Sequence, residues 1–256
     1  MLTYRTGKNI SQMNRRVVVW FSCGAASAVA GKLAIEKYGD DVVFACCVIP
    51  NEHPDNERFI QDCEKWYGKP IIRLKSDKYK DAWEIWEKTK LFKIKDFAHC
   101  TLELKKKVRQ KFQKISDIQV FGFTSDEKHR VERFMKANPE VDLYVPLIEN
   151  NKTKLNCFFI LRNAGIKLPE MYKLGYNNNN CIGCVKGGAG YWNKIRKDFP
   201  EVFDRMAKLE RSINRNIVKY KNKYVFLDEL PPDYGRYESE LEYQCGFFCE
   251  DKGESK

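Results

Sequence analysis

Ten cysteines in a chain of 256 residues are the first candidates for chemistry. Cys181-Ile-Gly-Cys184 is a C-x-x-C knuckle between an asparagine run (Asn177 to Asn180) and Gly187-Gly188, in a loop free to wrap a metal ion or cluster. Gln244-Cys245-Gly-Phe-Phe-Cys249-Glu250 sets two more thiols near the end of the chain. A second constellation is Ser22-Cys23-Gly24-Ala25-Ala26-Ser27, six small residues between an apolar run and a helical pattern. Small residues let the backbone approach a ligand closely, and the first N–H groups of the helix point at whatever fills the turn. A phosphate is the natural occupant. The alternative is a tight βα turn with no ligand, since the segment lacks both the Gly-Lys-Ser/Thr ending of a P-loop and G-x-G-x-x-G. A third stretch, Gly122-Phe-Thr-Ser-Asp-Glu127-Lys-His-Arg130, sets a carboxylate and a guanidinium where they can orient each other and present a fork to phosphate or sulfate. Its plainer reading is a solvated charged loop.

The elements that must hold these residues are set by the apolar pattern. Arg16 to Phe21 is β-branched and aromatic, as in a strand buried on both faces. Ser27 to Tyr38 reads as the next helix, stopped at Gly39-Asp40, and Asp41 to Ile49 as a second buried strand closed by Pro50. Asn56 to Tyr67 reads as a helix and Ile71 to Leu74 as a strand. This alternation predicts an α/β fold with a doubly wound parallel sheet. Further on, the pattern predicts helices over Asp81 to Thr89, Leu102 to Phe112, Lys154 to Asn163 and Tyr191 to Arg211. Strands are predicted at Ile118 to Phe123 and Tyr144 to Leu147, and an irregular tail from Pro231. The expected division is a nucleotide-binding domain over 1–174, with a small cysteine-bearing extension over 175–256 packed on it.

Lys and Arg number 46 against 35 Asp and Glu, a net charge of +11, which favours phosphate-bearing partners or serves solubility alone. The absence of a long apolar run and of a signal-type N-terminus predicts a soluble, cytoplasmic protein with no membrane partner. In that compartment thiols stay reduced, so the cysteines are expected as core fillers, metal ligands or reactive groups. Cys46, Cys47 and Cys157 read as buried small hydrophobes. Cys23, at a helix N-terminus, is either an activated thiol or a tolerated small residue.

A strand followed by S-x-G-x-x-S and a helix resembles the PP-loop of the adenine nucleotide alpha-hydrolase superfamily, in its Ser-Cys-Gly-Ala form the phosphoadenosine phosphosulfate (PAPS) reductase family. The resemblance implies a Rossmann-like fold in which Ser22, Cys23, Gly24, Ala25 and Ser27 bind a nucleotide. Ala25 and Ala26 stand where ATP-cleaving members carry Lys and Asp. That departure favours adenylyl sulfate, PAPS or a monophosphate over cleavage of ATP. Gly122, Glu127 and Arg130 match the family's G-x-R-x-x-E-x-x-R, with Thr124 in place of the first Arg. Asn51-Glu52-His53-Pro54 falls where relatives contact the nucleotide, a loose match that leaves His53 a weak candidate. Cys100-Thr-Leu-Glu-Leu-Lys105 is similar to the family's Cys-Cys-x-x-x-Lys, which pairs with a later C-x-x-C to hold a [4Fe-4S] cluster. That implies Cys100, Cys181 and Cys184 as ligands with Lys105 as a nearby cation. Thr101 replaces the second cysteine, so the fourth ligand comes from elsewhere or one iron stays open.

Gln-Cys-Gly-Phe resembles the Glu-Cys-Gly-Leu-His that ends sulfonucleotide reductases, which makes Cys245 the nucleophile and Cys249 the fourth ligand or a resolving thiol, or exchanges the two. Reduction of a sulfonucleotide, reset by a thioredoxin-like reductant, is the leading expectation, with Cys245, Lys105 and Arg130 catalytic. A second is ATP-dependent sulfur transfer to tRNA or DNA, for which the net charge and the basic stretch from Lys105 to Lys111 speak. A third is a module without catalysis in which zinc replaces the cluster and the protein binds nucleic acid.

Overall fold

The structure is a computed structural model and describes residues 15–94 and 97–237. Cys245 and Cys249 lie outside the described residues. The chain divides into two compact units, each built from several segments. One takes the chain up to Val48, Pro54–Leu74 and Arg109–Pro169, and the other takes Ile49–His53, Lys75–Val108 and everything from Glu170 onward.

The first unit is a five-stranded sheet in the order β3-β2-β1-β4-β5, from β1 (Val17–Trp20), β2 (Val42–Cys47), β3 (Ile71–Leu74), β4 (Ile118–Val120) and β5 (Asp142–Tyr144). Every pairing is parallel, with Val17 opposite Val42 on one side and Ile118 on the other. β1 is central, and its three valines and tryptophan are all buried, as a strand covered on both faces demands. Helix α1 (Ala25–Tyr38) returns the chain from β1, and α2 (Asn56–Tyr67) returns it from β2. On their face Phe21 stacks on Phe59, and the Tyr67 hydroxyl donates to the carbonyl of Ala28 at 2.7 Å. On the opposite face Val18, Trp20 and Ala45 meet Phe112 and Phe121. The sheet is thus doubly wound, as the alternation of elements predicts. Its strand order reverses between β1 and β4, and in such sheets ligands bind at the carboxyl ends of the strands flanking that point.

The second unit packs helices Ala82–Thr89, Ala189–Asp198 and Pro200–Ile213 with a hairpin of β6 (Val218–Tyr220) and β7 (Lys223–Val225) around Trp86, Trp192, Ile195, Met206 and Leu227. Asp81 caps the first of these helices, accepting from Glu84 N at 2.8 Å.

Several elements depart from the sequence expectation. The helix expected over Tyr191 to Arg211 is two helices, because Pro200 has no N–H to continue the first and instead opens the second. Pro146 likewise starts a helical turn, Pro146–Glu149, so the strand expected at Tyr144 to Leu147 ends at Tyr144. Lys128–Ala137 is a helix where a charged loop was the alternative reading. The basic helix toward Phe112 begins as a π-turn over Thr101–Lys106. Among the described residues, no helix is long and apolar enough to cross a membrane.

One buried carboxylate holds the second unit's hairpin in place. Glu210 is 0% exposed and accepts from Ile217 N at 2.8 Å and Leu227 N at 2.6 Å. Burial pushes its pKa up to about 7 against the pull of those two N–H bonds. The folded-state value lies above the ordinary 4.5, so folding tightens the hold on this proton. The resulting stabilisation is complete below the unfolded pKa and is lost as pH rises through the folded one. The urea midpoint should therefore fall between about pH 5 and pH 8, by on the order of 2 kcal/mol of unfolding free energy from this group. Glu210→Gln should flatten that slope, and its cost, about 1–3 kcal/mol where one backbone N–H faces an amide NH2, should be largest at low pH and shrink as pH rises. A variant that keeps the parent's slope would show that the titration lies elsewhere.

Candidate functional site

The Ser22–Ser27 turn leaves the carboxyl end of β1, in the first unit. Cys23 takes a left-handed conformation (φ 56°) that throws the chain from strand into helix, and Gly24 is the N-cap of α1. Ser27, 4% exposed, ties the turn together. Its Oγ donates to the Gly24 carbonyl at 2.8 Å and accepts from the backbone N–H and the hydroxyl of Ser22, both at 3.1 Å. The first intrahelical bond is Ala28 N to Gly24 O, so the N–H groups before Ala28 have no acceptor within the helix. No side chain caps them, and the first turn carries no acidic residue. An anion set against this turn meets unopposed N–H dipoles.

Gly122 follows β4 across the switch point. A Cβ there would stand 2.7 Å from Ser27 N and 2.8 Å from Ala26 C, so only glycine lets the two loops touch backbone to backbone. Beyond it, the N–H and hydroxyl of Thr124 both donate to Glu127 Oε2, at 3.1 and 3.2 Å, and Glu127 pairs with Arg130. Thr124, in place of an arginine, is thus a buried capping residue. Arg130 is half exposed and lies 5.2 Å from the Phe123 ring centroid. Cys23 is buried with its Sγ 3.8 Å from that of Cys46. Cys47, at the end of β2, is half-buried where the sequence suggests a core filler. Cys63 and Cys157 are buried, and burial pushes both thiols up to about 12, so they stay protonated and inert.

The other sequence-predicted cysteines meet in the second unit. Cys100, Cys181 and Cys184 all line one cavity of about 610 Å³, together with Thr101, Lys105 and Lys186. The π-turn sets the upstream part of this lining, since its wider spacing brings Cys100, Thr101, Leu104 and Lys105 to one wall. In the C-x-x-C loop, Gly183 supplies the left-handed residue (φ 75°) that the knuckle needs. The Tyr191 hydroxyl bridges its two ends, accepting from Cys184 N at 2.9 Å and donating to the Cys181 carbonyl at 3.1 Å. Ile182 N donates to the Asn51 carbonyl at 2.8 Å. Glu52 accepts from Lys105 Nζ at 2.9 Å and from the Cys181 thiol at 3.9 Å.

Burial raises the pKa of both Cys100 and Cys181, and charge on Cys184 raises each further, while Lys105 works against both shifts. With no cation present these thiols hold their protons; a bound metal displaces them. Among the described residues no three His, Cys, Asp or Glu side chains stand close enough to hold one metal ion. Tetrahedral zinc draws its thiolates in to about 2.3 Å from a single centre. A cluster spreads its ligands over several irons, and Cys100, Cys181 and Cys184 supply the thiol donors that either group takes.

His53 lies in the second unit, edge-on to Phe199 with ring centroids 6.4 Å apart. The residue of its motif that reaches the cysteines is Glu52. Tyr191 carried no sequence signal, since its role is to brace backbone atoms. The asparagine run does contribute, with Asn177, Asn178 and Asn180 lining the cavity.

Fold and sites thus define an α/β protein with a doubly wound parallel sheet, a ligand-ready switch point in one unit and a three-cysteine cavity in the other. No family model matches the chain. It is 24% identical over 214 residues to an uncharacterized protein of Methanocaldococcus jannaschii, a match covering 78% of this chain and 42% of that protein. The chain spans less than half the length of that relative. Among solved structures, it is similar to a phosphoadenylyl-sulfate (PAPS) reductase from Candida auris in its phosphate complex, at 12% identity and TM-score 0.47 over 67% of this chain and 82% of that one. It is also similar to a U34-tRNA thiolase from Methanococcus maripaludis with its [4Fe-4S] cluster, at 13% identity and TM-score 0.41 over 98% of this chain and 85% of the other.

Proposed function

We propose that the chain is a PAPS reductase-like enzyme that binds an adenine sulfonucleotide at the Ser22–Ser27 turn and holds a [4Fe-4S] cluster on Cys100, Cys181 and Cys184. The observation that carries this reading is that Cys100 and the sequence-distant Cys181–Cys184 pair line one cavity beside Lys105. Bound there, a cluster would supply a sulfur-rich, electron-accepting surface, and Lys105 and Lys186 would balance the charge of its thiolates. The α1 N-terminus and Gly122 receive the nucleotide phosphate, and Arg130, oriented by Glu127, neutralises sulfate charge. Cys245 attacks the sulfonyl sulfur as a thiolate. The S–O bond to the phosphate breaks, and the nucleotide leaves with the oxygen and its electron pair. A second thiol, on Cys249 or a thioredoxin-like protein, then attacks the Cys245 sulfur. A Cys245–thiol disulfide forms as the bond to the sulfonate sulfur breaks, so the two thiols are oxidised and sulfite leaves with that electron pair.

A second reading, ATP-dependent sulfur transfer to tRNA or DNA, is favoured by the charge of +11; a cluster held on Cys100, Cys181 and Cys184 would supply the sulfur-handling chemistry there. Anaerobic incubation of the cluster-loaded chain with thioredoxin and either adenylyl sulfate or PAPS should release sulfite, and Cys245→Ser should abolish it. No sulfite from either substrate, with ATP consumed and sulfur recovered in RNA or DNA, replaces the first reading by the second.

A further inference from the structure

Among the described residues, five arginines of the first unit are half-buried, and four of them have a carboxylate: Arg15 pairs with Asp142, Arg16 with Asp117, Arg58 with Asp55 and Arg73 with Glu64. Arg109 is the fifth. Its guanidinium lies among aromatic rings, 5.0 Å from the centroid of Phe121, 5.6 Å from that of Trp20 and 6.0 Å from that of Phe134. Its Nε is buried and donates to nothing, and among the described residues no acid pairs with it. Ring faces repay part of the cost of burying this charge, but they accept none of its directed N–H bonds.

The position of this cation is as telling as its lack of a partner. Trp20 is the last residue of β1 and is anchored by its own bond to Gln119 on β4 (3.2 Å). Phe121 directly follows β4 and precedes Gly122. Cys47, whose charge works against the fall in the Arg109 pKa that burial causes, ends β2. The guanidinium therefore packs against residues at the carboxyl ends of adjacent strands at the switch point, the residues that lead into the loops meeting at Gly122 and Ser27. The turn itself brings no cationic side chain, since Ala25 and Ala26 stand in it.

We propose that Arg109 is an anion-binding residue of the nucleotide crevice, supplying to a phosphate or sulfonate group the side-chain charge that the Ser22–Ser27 turn lacks. The assignment rests on the nucleotide reading of that turn. A planar guanidinium held by rings presents its outer N–H groups in fixed directions, which suits a tetrahedral oxyanion.

Adenosine, AMP, ATP and inorganic phosphate are titrated calorimetrically into the full chain, its Arg109→Gln variant and its Arg109→Lys variant, with near-UV circular dichroism to check the fold. R109Q should weaken AMP and ATP by about 10- to 100-fold and leave adenosine unchanged. R109K, which keeps the charge without the fork, should show a smaller loss confined to the phosphate-bearing ligands, and it carries the comparison if R109Q does not fold. Undiminished binding of AMP by a folded variant overturns the role of Arg109 and leaves the nucleotide reading standing. An equal loss for adenosine overturns it too, because the side chain would then serve the base or the fold. If inorganic phosphate binds the parent as tightly as AMP, the ligand is a free anion and the nucleotide part of the assignment falls. A parent chain that binds no adenine nucleotide at all overturns both readings together.

Discussion

Cys181→Ser, prepared anaerobically and supplied with iron and sulfide, should bind no stable cluster, and the visible iron–sulfur absorption of the parent should vanish with it. Cys100→Ser and Cys184→Ser should do the same. The size of the effect comes from the count of donors: all three thiols line the cavity, and a cluster with three protein ligands loses a third of its anchorage with each substitution. Serine is nearly isosteric and should leave the fold intact, because the C-x-x-C loop is braced through backbone atoms by Tyr191 and Asn51. The thiol of Cys181 is also the one that touches Glu52, so Glu52→Gln should loosen Lys105 yet leave the iron content near that of the parent. The decisive measurement is iron and acid-labile sulfide per chain for each variant. Stoichiometric zinc with no sulfide in the parent would sink the cluster assignment. Iron unchanged in all three serine variants would sink the choice of ligands.

How much of this could be read in advance depends on which physical signal each residue carries. The sheet and its first helices were legible because a parallel strand buried on both faces is apolar without a break, as in Val17–Trp20, and because Gly39 ends the first helix and Pro50 closes the second strand. The helix Asn56–Tyr67 and the strand Ile71–Leu74 fall where the apolar pattern places them. The hairpin of β6 and β7 was not legible: its strands have three residues each, and Lys221 and Asn222 supply positive φ where glycine would announce a turn. The helix Lys128–Ala137 was hidden by its charges, since Val131 is the single buried residue it contributes. Of the candidate site, the small-residue turn and the C-x-x-C knuckle carry local signatures, and Cys100 was reached through resemblance. Arg109 carries none. In sequence it is one more cation in the run from Lys105 to Lys111, and only its burial among Trp20, Phe121 and Phe134 separates it from the solvated lysines beside it. Glu210 is the same case with the opposite sign, a carboxylate on a charged helix whose significance lies in the two N–H groups that meet it.

Gly122→Ala should weaken the proposed nucleotide binding through the backbone alone. The added methyl would stand 2.7 Å from Ser27 N and 2.8 Å from both Ala26 C and Ser27 Cα, well inside contact distance. All three atoms belong to backbone, so no side chain can swing aside. Either α1 moves away from the switch point or the loop after β4 does. The first is resisted by the bonds of Ser27 to Ser22 and Gly24 and by Tyr67 on the Ala28 carbonyl; the second is resisted by the buried Thr124 and its bonds to Glu127. Overpacking of this kind costs about 1–3 kcal/mol, which should appear as a lower melting temperature of a chain that still folds. The larger consequence is functional. On the assignment proposed above, the N–H groups of the Ser22–Ser27 turn and the Arg109 guanidinium hold one anion, and a displacement of a few tenths of an ångström between the two loops then lengthens several charge-assisted bonds at once. The expected loss of AMP affinity is on the order of 10-fold or more. Wild-type affinity in G122A, with the melting temperature lowered, would mean that the two loops touch for packing alone and that the anion is held away from their junction.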